Sequence, residues 1–173
     1  MLYLYDDTTS CARNRLGDPP VTARSTPEQT LELAAFVPFR LNRLADGVSQ
    51  HLAVIYRKRF GLDIPQWRVM ATVGSKHGCT AQYIAASTRM HKTRVSRAIG
   101  ELEARALIER ASSSEDRRQR QVHLSRSGRR MYSELVPLAL EREAALLSCL
   151  GPEQLAGFMV GIETLERFLE LED

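Results

Sequence analysis

Residues 89–130 constrain the fold of this chain more than any other segment, because they join one helical pattern to two short strand patterns. In HKTRVSRAIGELEARALIER the apolar residues recur every three or four positions, which predicts one buried helical face. That face consists of Val95, Ala98, Ile99, Leu102 and Ala106. Residues 107–111 and 121–125 follow as strand candidates, and the polar sequence SSSEDRRQR between them predicts a turn.

A second, shorter helix is predicted immediately upstream. The sequence TAQYIAAST begins with Thr80 as the expected N-cap and directs Tyr83, Ile84 and Ala85 inward. Helix, helix and hairpin in this order predict a winged helix-turn-helix. The predicted fold class is therefore mainly α (α+β), with a two-stranded β-wing and with N- and C-terminal helices outside the winged region.

Positive charge is concentrated in the same segment. Residues 89–130 contain twelve Lys or Arg against five acids, a net charge of +7, whereas the whole chain carries +3. The remainder therefore sums to 3 − 7 = −4. Charge segregated in this way predicts contact with a polyanion. A solvated basic face without a partner is the alternative that charge alone leaves open.

The polar face of the predicted helix has the residue types that read a DNA major groove. Thr93, Arg94 and Arg97 lie opposite the apolar face, with Ser96 on its flank. A major groove admits one α-helix, in which Arg can bond guanine through two donors and Ser, Thr and Lys can reach bases or phosphates. An ordinary surface helix would show the same amphipathicity. The predicted DNA contacts are His91, Lys92, Thr93, Arg94, Ser96 and Arg97 from the helix, and Asp116, Arg117, Arg118 and Arg120 from the hairpin.

The spans RVSRAIGELEARALIER and EDRRQRQVHLSRSGR resemble the MarR family of bacterial winged helix-turn-helix transcriptional regulators, and the resemblance extends over about residues 36–168. The family's wing has an Asp-x-Arg element, an alternating strand, a Ser or Thr and a Gly, matched here by Asp116, Arg118, Ser125 and Gly128. The resemblance implies that Arg118 enters a narrow minor groove, whose negative potential attracts arginine, and that Asp116 supports the wing. The family usually places glycine at the position of Ala106, where a left-handed turn would cost alanine roughly 1 kcal/mol.

The resemblance also implies partners and a mode of action. We expect a homodimer that binds a pseudo-palindromic operator in double-stranded DNA, acting as a repressor that a small effector releases. In the family, the effector pocket lies between the dimer frame and the winged region. Residues of suitable chemistry there are Arg40, Arg43, His51, Trp67 and Tyr132, which would suit an aromatic acid or a coenzyme A thioester. Trp67 as a core residue and the two arginines as surface ion-pair partners are the alternatives.

The domain organisation follows from the same patterns. Residues 1–25 are expected to form a mobile arm and residues 26–173 a single domain. Within that domain, the winged DNA-binding region is predicted at 62–125 and the dimerisation helices at 26–60 and 126–173.

Helix boundaries within the dimerisation frame are predicted from caps, prolines and glycines. A capping box at residues 26–29 predicts a helix start, Pro38 its interruption or restart, and Gly61 its end. Another helix is predicted over residues 64–76. Ser125 is the expected cap of a long helix that runs to about residue 150 and bends near Pro137, and Gly151-Pro152 opens a last helix. Residues 134–173 carry nine acids and two arginines, so this end of the chain is not expected to touch DNA.

Several other function classes are disfavoured by missing motifs. The chain has no Gly-x-Ser-x-Gly, phosphate loop or dinucleotide fingerprint, so neither catalytic residues nor a cofactor are expected. Cys11, Cys79 and Cys149 are far apart and match no metal-ligand spacing. Without an apolar run of 18 residues, the chain is expected to be soluble and cytoplasmic, with no membrane partner. A cysteine-based redox sensor of the same fold and a winged helix that binds protein are the alternative functions.

Overall fold

The computed structural model describes residues 30–112 and 120–171, which contain six α-helices and three β-strands. In chain order these are α1 (Val37–Phe60), α2 (Ile64–Ser75), β1 (Cys79–Thr80), α3 (Ala81–Thr88), α4 (Lys92–Ala104), β2 (Ile108–Ser112), β3 (Arg120–Leu124), α5 (Arg126–Leu147) and α6 (Pro152–Phe168). The predicted fold class, a mainly α winged helix-turn-helix, is confirmed.

Local capping residues set several helix starts. The Thr80 hydroxyl accepts a hydrogen bond from the backbone N–H of Tyr83 at 3.1 Å, and the Ser125 hydroxyl accepts one from Gly128 at 3.0 Å. Each bond satisfies a backbone donor that the first turn of a helix leaves without a partner. Both caps were predicted from the sequence, and both are confirmed.

The start of α1 differs from the prediction. Residues 26–29 lie outside the described part of the chain. Residues 30–36 are not helical and contain a turn at residues 33–35, so the predicted helix does not run through residues 30–36. The helix begins at Val37, with Pro38 in its first turn, where proline sacrifices no hydrogen bond because the N–H groups have no helical partner. Its last residue is Phe60, and Gly61, the predicted end signal, caps it in a left-handed conformation with φ 61°.

The sheet has the strand order β1-β3-β2 and is antiparallel throughout. Its two-residue first strand was not predicted, because an alternating pattern cannot be read from two residues. Gly78 precedes it with φ 128°, and a Cβ at that position would lie 2.3 Å from the His123 ring on β3. Glycine therefore permits both the turn and the close approach of β3.

One core unites the winged region with α1 and α5. Helices α2, α3 and α4 and all three described strands contribute buried side chains to it. Ala53 and Tyr56 join it from α1, and Leu135 joins it from α5. By contrast, α6 contains no buried residue. Its exposed apolar residues are Phe158, Met159, Val160, Leu165 and Phe168.

A helix that crosses a bilayer must be both long and apolar. Among the described helices, no single one is long and apolar enough to cross a bilayer. Of the described helices, only α5 and α6 taken together are long and apolar enough, and they are bent by 114° at the break between them.

A strained alanine joins α4 to β2. Ala106 has φ 53°, and its carbonyl accepts a hydrogen bond from the Ser125 hydroxyl at 2.7 Å, so this left-handed conformation is held in place. We expect Ala106→Gly to raise the free energy of unfolding by about 1 kcal/mol, because glycine adopts positive φ without steric cost. Urea denaturation checks this. Ala104→Gly, inside the end of α4, is the matched control and should lower stability, and a loss of stability in Ala106→Gly would contradict the strain.

Candidate nucleic-acid interface

The recognition helix α4 is fixed by its apolar face. Val95, Ala98, Ile99 and Leu102 are buried in the core, as predicted. Ala106 is an exception to the predicted face, because α4 ends at Ala104 and Ala106 lies exposed in the left-handed turn that follows. The helix is therefore anchored on one side along its length, and its opposite side faces outward.

The outward side carries all six predicted helix contacts. His91, Lys92, Thr93, Arg94, Ser96 and Arg97 are exposed. At the helix start, His91 Nδ1 lies 2.8 Å from the Thr93 hydroxyl and accepts the Thr93 backbone N–H at 3.4 Å. Within the described residues, the guanidinium of Arg94 has neither an ion pair nor a hydrogen bond, so it is available to an outside partner.

The turn between α3 and α4 adds another exposed cation. Arg89 closes α3 with φ 53°, in the left-handed region where glycine is common, while the next residue, Met90, is buried and anchors the turn. Sequence reasoning did not place Arg89 at the interface, because no glycine marks this turn. Its position next to the start of α4 now makes it a candidate phosphate contact.

Arg97 belongs to a hydrogen-bonded chain that sequence reasoning missed. Its Nε donates to Glu101 Oε1 at 2.8 Å, and Glu101 Oε2 accepts from Gln66 Nε2 at 2.9 Å. Gln66 and Asp63 in turn form the capping box of α2. The hydrogen bond from Arg97, followed by that from Gln66, lowers the pKa of Glu101. The i, i+4 spacing of Arg97 and Glu101 was the signal that could have found the pair.

Several arginines counted in the basic segment serve the fold instead. Arg105 donates from Nη1 to the Gly61 carbonyl at 2.9 Å and from Nη2 to the Phe60 carbonyl at 2.7 Å, which caps the end of α1. Arg129 donates to the Leu124 carbonyl at 2.6 Å, and Arg110 pairs with Glu103 at 3.2 Å. Fewer arginines are therefore free to contact a partner directly than the sequence count suggests.

The wing is described up to its tip. Strands β2 and β3 pair with Ser112 opposite Arg120, and Arg120 is exposed at the first position of β3. The other predicted wing contacts, Asp116, Arg117 and Arg118, lie outside the described residues.

The five predicted effector residues are not brought together in one place. Arg40, Arg43 and His51 line a cavity of about 630 Å³ along α1. Trp67 and Tyr132 line a separate cavity of about 340 Å³ between α2 and α5. Trp67 stacks on Tyr56 with ring centroids 5.8 Å apart.

Trp67 and Tyr56 also border a third cavity. It measures about 610 Å³, lies between α1, α5 and α6, and is lined almost wholly by apolar side chains, with Glu143 as the charged exception. Sequence reasoning did not find this space, because it forms between helices that are far apart in the chain.

The thiols and the metal-binding residue types show no assembled centre. Cys79 is buried, and desolvation raises the pKa of its thiol, whereas Cys149 is exposed and Cys11 lies outside the described residues. Across residues 30–112 and 120–171, no three His, Cys, Asp or Glu side chains cluster closely enough to hold a metal ion.

Comparisons with known proteins agree with this geometry. A profile of the MarR family matches residues 60–119, which run from the end of α1 into the wing. No curated protein sequence matches the chain significantly. Among solved structures, a MarR family transcriptional regulator from Silicibacter pomeroyi DSS-3 is similar, with 27% identity, a TM-score of 0.71, and coverage of 82% of this chain and 99% of that one.

Two further structures extend the likeness. A MarR/EmrR family transcriptional regulator from Acinetobacter sp. ADP1 has 24% identity and a TM-score of 0.72, with 82% of this chain and 100% of that chain covered. The apo form of MarR from E. coli has 14% identity and a TM-score of 0.64, with 75% and 96% covered. The family profile and the structural likeness coincide at the helix-turn-helix: residues 60–119 match the MarR family, and the chain has the fold of solved MarR-family transcriptional regulators.

Proposed function

We propose that this protein is a sequence-specific regulator of transcription that binds double-stranded DNA as a homodimer, with α4 in the major groove. One observation carries the proposal. A helix buried along one face in the core presents Thr93, Arg94 and Arg97 on the opposite, exposed face. A rigidly held helix with outward arginines is the arrangement that reads base edges in a major groove.

Contacts to the phosphate backbone would come from the cations around α4. Lys92 lies at the start of the helix, Arg89 in the turn before it and Arg120 on the wing, and all three are exposed. Such contacts orient a protein on the duplex without selecting a sequence. Arg118 of the wing, with Asp116 as its support, is proposed to enter the adjacent minor groove, and Arg117 to contact phosphate.

Dimerisation is supported by apolar surface that the single chain leaves uncovered. Besides the exposed residues of α6, the N-terminal part of the frame exposes Leu31, Leu33, Phe36, Val37 and Leu41. Apolar patches of this extent usually mark an interface. A two-fold dimer presents two copies of α4, which predicts two half-sites about one helical turn, roughly 34 Å, apart.

The dimer is expected to dissociate when charge enters the α6 surface. Phe168 is 82% exposed in the single chain and Leu165 is 47% exposed, so changing both to glutamate should leave the monomer folded and weaken self-association. Burying two unpaired carboxylates costs several kcal/mol, which predicts at least about a 100-fold rise in the dimer Kd. Sedimentation measures it. Ser133→Glu, exposed on α5, is the charge control, and a wild-type monomer at micromolar concentration would contradict the proposal.

The proposal also includes control of DNA binding by a small-molecule effector. We infer repression that is relieved by a small aromatic or acyl-CoA-like ligand, supported by cavities of the size that small molecules occupy and by Arg40 and Arg43 beside one of them. An arginine can bind a ligand carboxylate through paired, charge-assisted hydrogen bonds. A regulator that binds operators would act in the cytoplasm. Screening metabolites for loss of DNA retention tests this part.

Selection from random DNA duplexes tests the proposed function as a whole. The purified protein is expected to enrich a pseudo-palindrome with half-sites about one helical turn apart, bound by two chains. Enrichment of no sequence, or of a site without two-fold symmetry bound by one chain, would contradict it.

A further inference from the structure

The two arginines on the exposed face of α4 differ in how their guanidinium groups are held. Arg94 has no partner among the described residues, whereas Arg97 is fixed through Nε to Glu101 at 2.8 Å. Glu101 is itself tied to α2 by Gln66, a buried polar side chain only 9% exposed. The hydrogen bonds that fix Arg97 therefore connect it, through Glu101, to a buried side chain of the winged region.

The described residues leave the two terminal nitrogens of the Arg97 guanidinium free to contact a base. Glu101 occupies Nε, and neither terminal nitrogen, Nη1 or Nη2, has a hydrogen-bond partner among the described residues. Guanine offers two acceptors, O6 and N7, in the major groove, and an arginine presented end-on can meet both. Fixing the side chain beforehand removes the freedom that it would otherwise lose on binding.

We propose that Glu101 is a positioning residue that holds Arg97 end-on toward a guanine, and that Gln66 fixes Glu101 in turn. The inference rests on the proposed function and adds to it a determinant of specificity that does not itself need to touch DNA.

Exposure shows why stability alone does not account for the pair. The Arg97 side chain is 82% exposed and that of Glu101 is 39% exposed, and ion pairs in such positions contribute little to folding. A carboxylate on a DNA-facing helix also repels phosphate. The hydrogen bonds from Arg97 and Gln66 lower the pKa of Glu101, because both stabilise the ionised carboxylate. An acid in this place is better explained by the orientation that it gives Arg97.

The test uses an operator selected from random duplexes. The base pair read by Arg97 is the G·C pair whose replacement weakens the wild type but not Arg97→Ala. Glu101→Ala is expected to reduce the preference for guanine there by roughly 5- to 150-fold, the range of a lost bidentate contact. Non-specific affinity should stay the same or rise, because an acid has been removed.

Glu103→Ala is the matched control, since it removes the same charge from the same helix and releases Arg110 instead of Arg97. It should leave the guanine preference unchanged. In an Arg97→Ala background, Glu101→Ala should have no further effect on that preference. Gln66→Met, which keeps the side-chain size without the hydrogen bonds, should shift the preference in the same direction as Glu101→Ala.

Two failures can be told apart. A wild type that prefers no duplex would overturn the proposed function, and with it the role of Glu101. A wild-type preference that survives Glu101→Ala, or that Glu103→Ala reduces equally, would overturn the role of Glu101 alone. Circular dichroism on each variant confirms that the winged region is folded.

Discussion

Replacing Arg94 or Arg97 by alanine is expected to weaken binding to the selected operator by about 1–3 kcal/mol each, because each removes a bidentate contact with a base. Both side chains are exposed on α4 and neither is part of the core, so the fold should be unchanged. Fluorescence anisotropy with the operator and with a scrambled duplex of equal length measures the two losses. The operator should lose more affinity than the scrambled duplex.

Lys92→Ala is the control for this experiment. As a phosphate contact, it should weaken both duplexes equally and reduce the salt slope by about one counterion. If the alanine variant of either arginine behaves like Lys92→Ala, that arginine contacts phosphate and not a base. If the variant with both arginines replaced binds the operator as tightly as the wild type, α4 is not the element that reads the DNA sequence.

A second large effect is expected at Gly128, near the start of α5. A Cβ there would lie 1.8 Å from the carbonyl oxygen of Leu107. That carbonyl accepts the backbone N–H of Ser125 at 3.0 Å, so it cannot move without breaking the junction between the wing and α5. Gly128→Ala is therefore expected to lower the free energy of unfolding by at least about 3 kcal/mol. Urea denaturation measures the loss.

Gly100→Ala provides the comparison. It lies inside α4, and a Cβ there meets nothing within 4 Å, so alanine should stabilise the helix by about 0.5–1 kcal/mol. If Gly128→Ala were instead as stable as the wild type, that result would contradict the close contact between Gly128 and the Leu107 carbonyl.

Much of the fold was predictable because its signals are local. Thr80 and Ser125 cap helices three residues away, Gly61 ends α1, and the spacing of Val95 and Leu102 sets the buried face of α4. Each of these signals acts within about one or two turns of chain, where sequence spacing and spatial distance agree.

The missed features are those made by distant partners. Gln66 reaches Glu101 across 35 positions, and Arg105 reaches Gly61 across 44. No local pattern distinguishes an arginine that caps a distant helix from one that faces DNA, so the basic count alone overstated the number of arginines free to contact DNA. The five candidate effector residues were separated for the same reason, since the helices that carry them meet only in the folded chain.

The start of α1 shows how a local signal can be overridden. The capping box at residues 26–29 predicted a helix ahead of Pro38, yet residues 30–36 are not helical. In this stretch Leu31 and Leu33 are exposed and contribute nothing to the core. A capping signal without a packed apolar face behind it stabilises a helix only weakly.

The salt dependence of operator binding tests the central claim most directly. Anisotropy titrations of the wild type at several salt concentrations compare the selected operator with a scrambled duplex. We predict that the operator binds roughly 1,000-fold or more tightly at physiological salt, and that both affinities fall as salt rises. Equal affinities for the two duplexes, or binding that salt does not weaken, would contradict a DNA-reading function for α4.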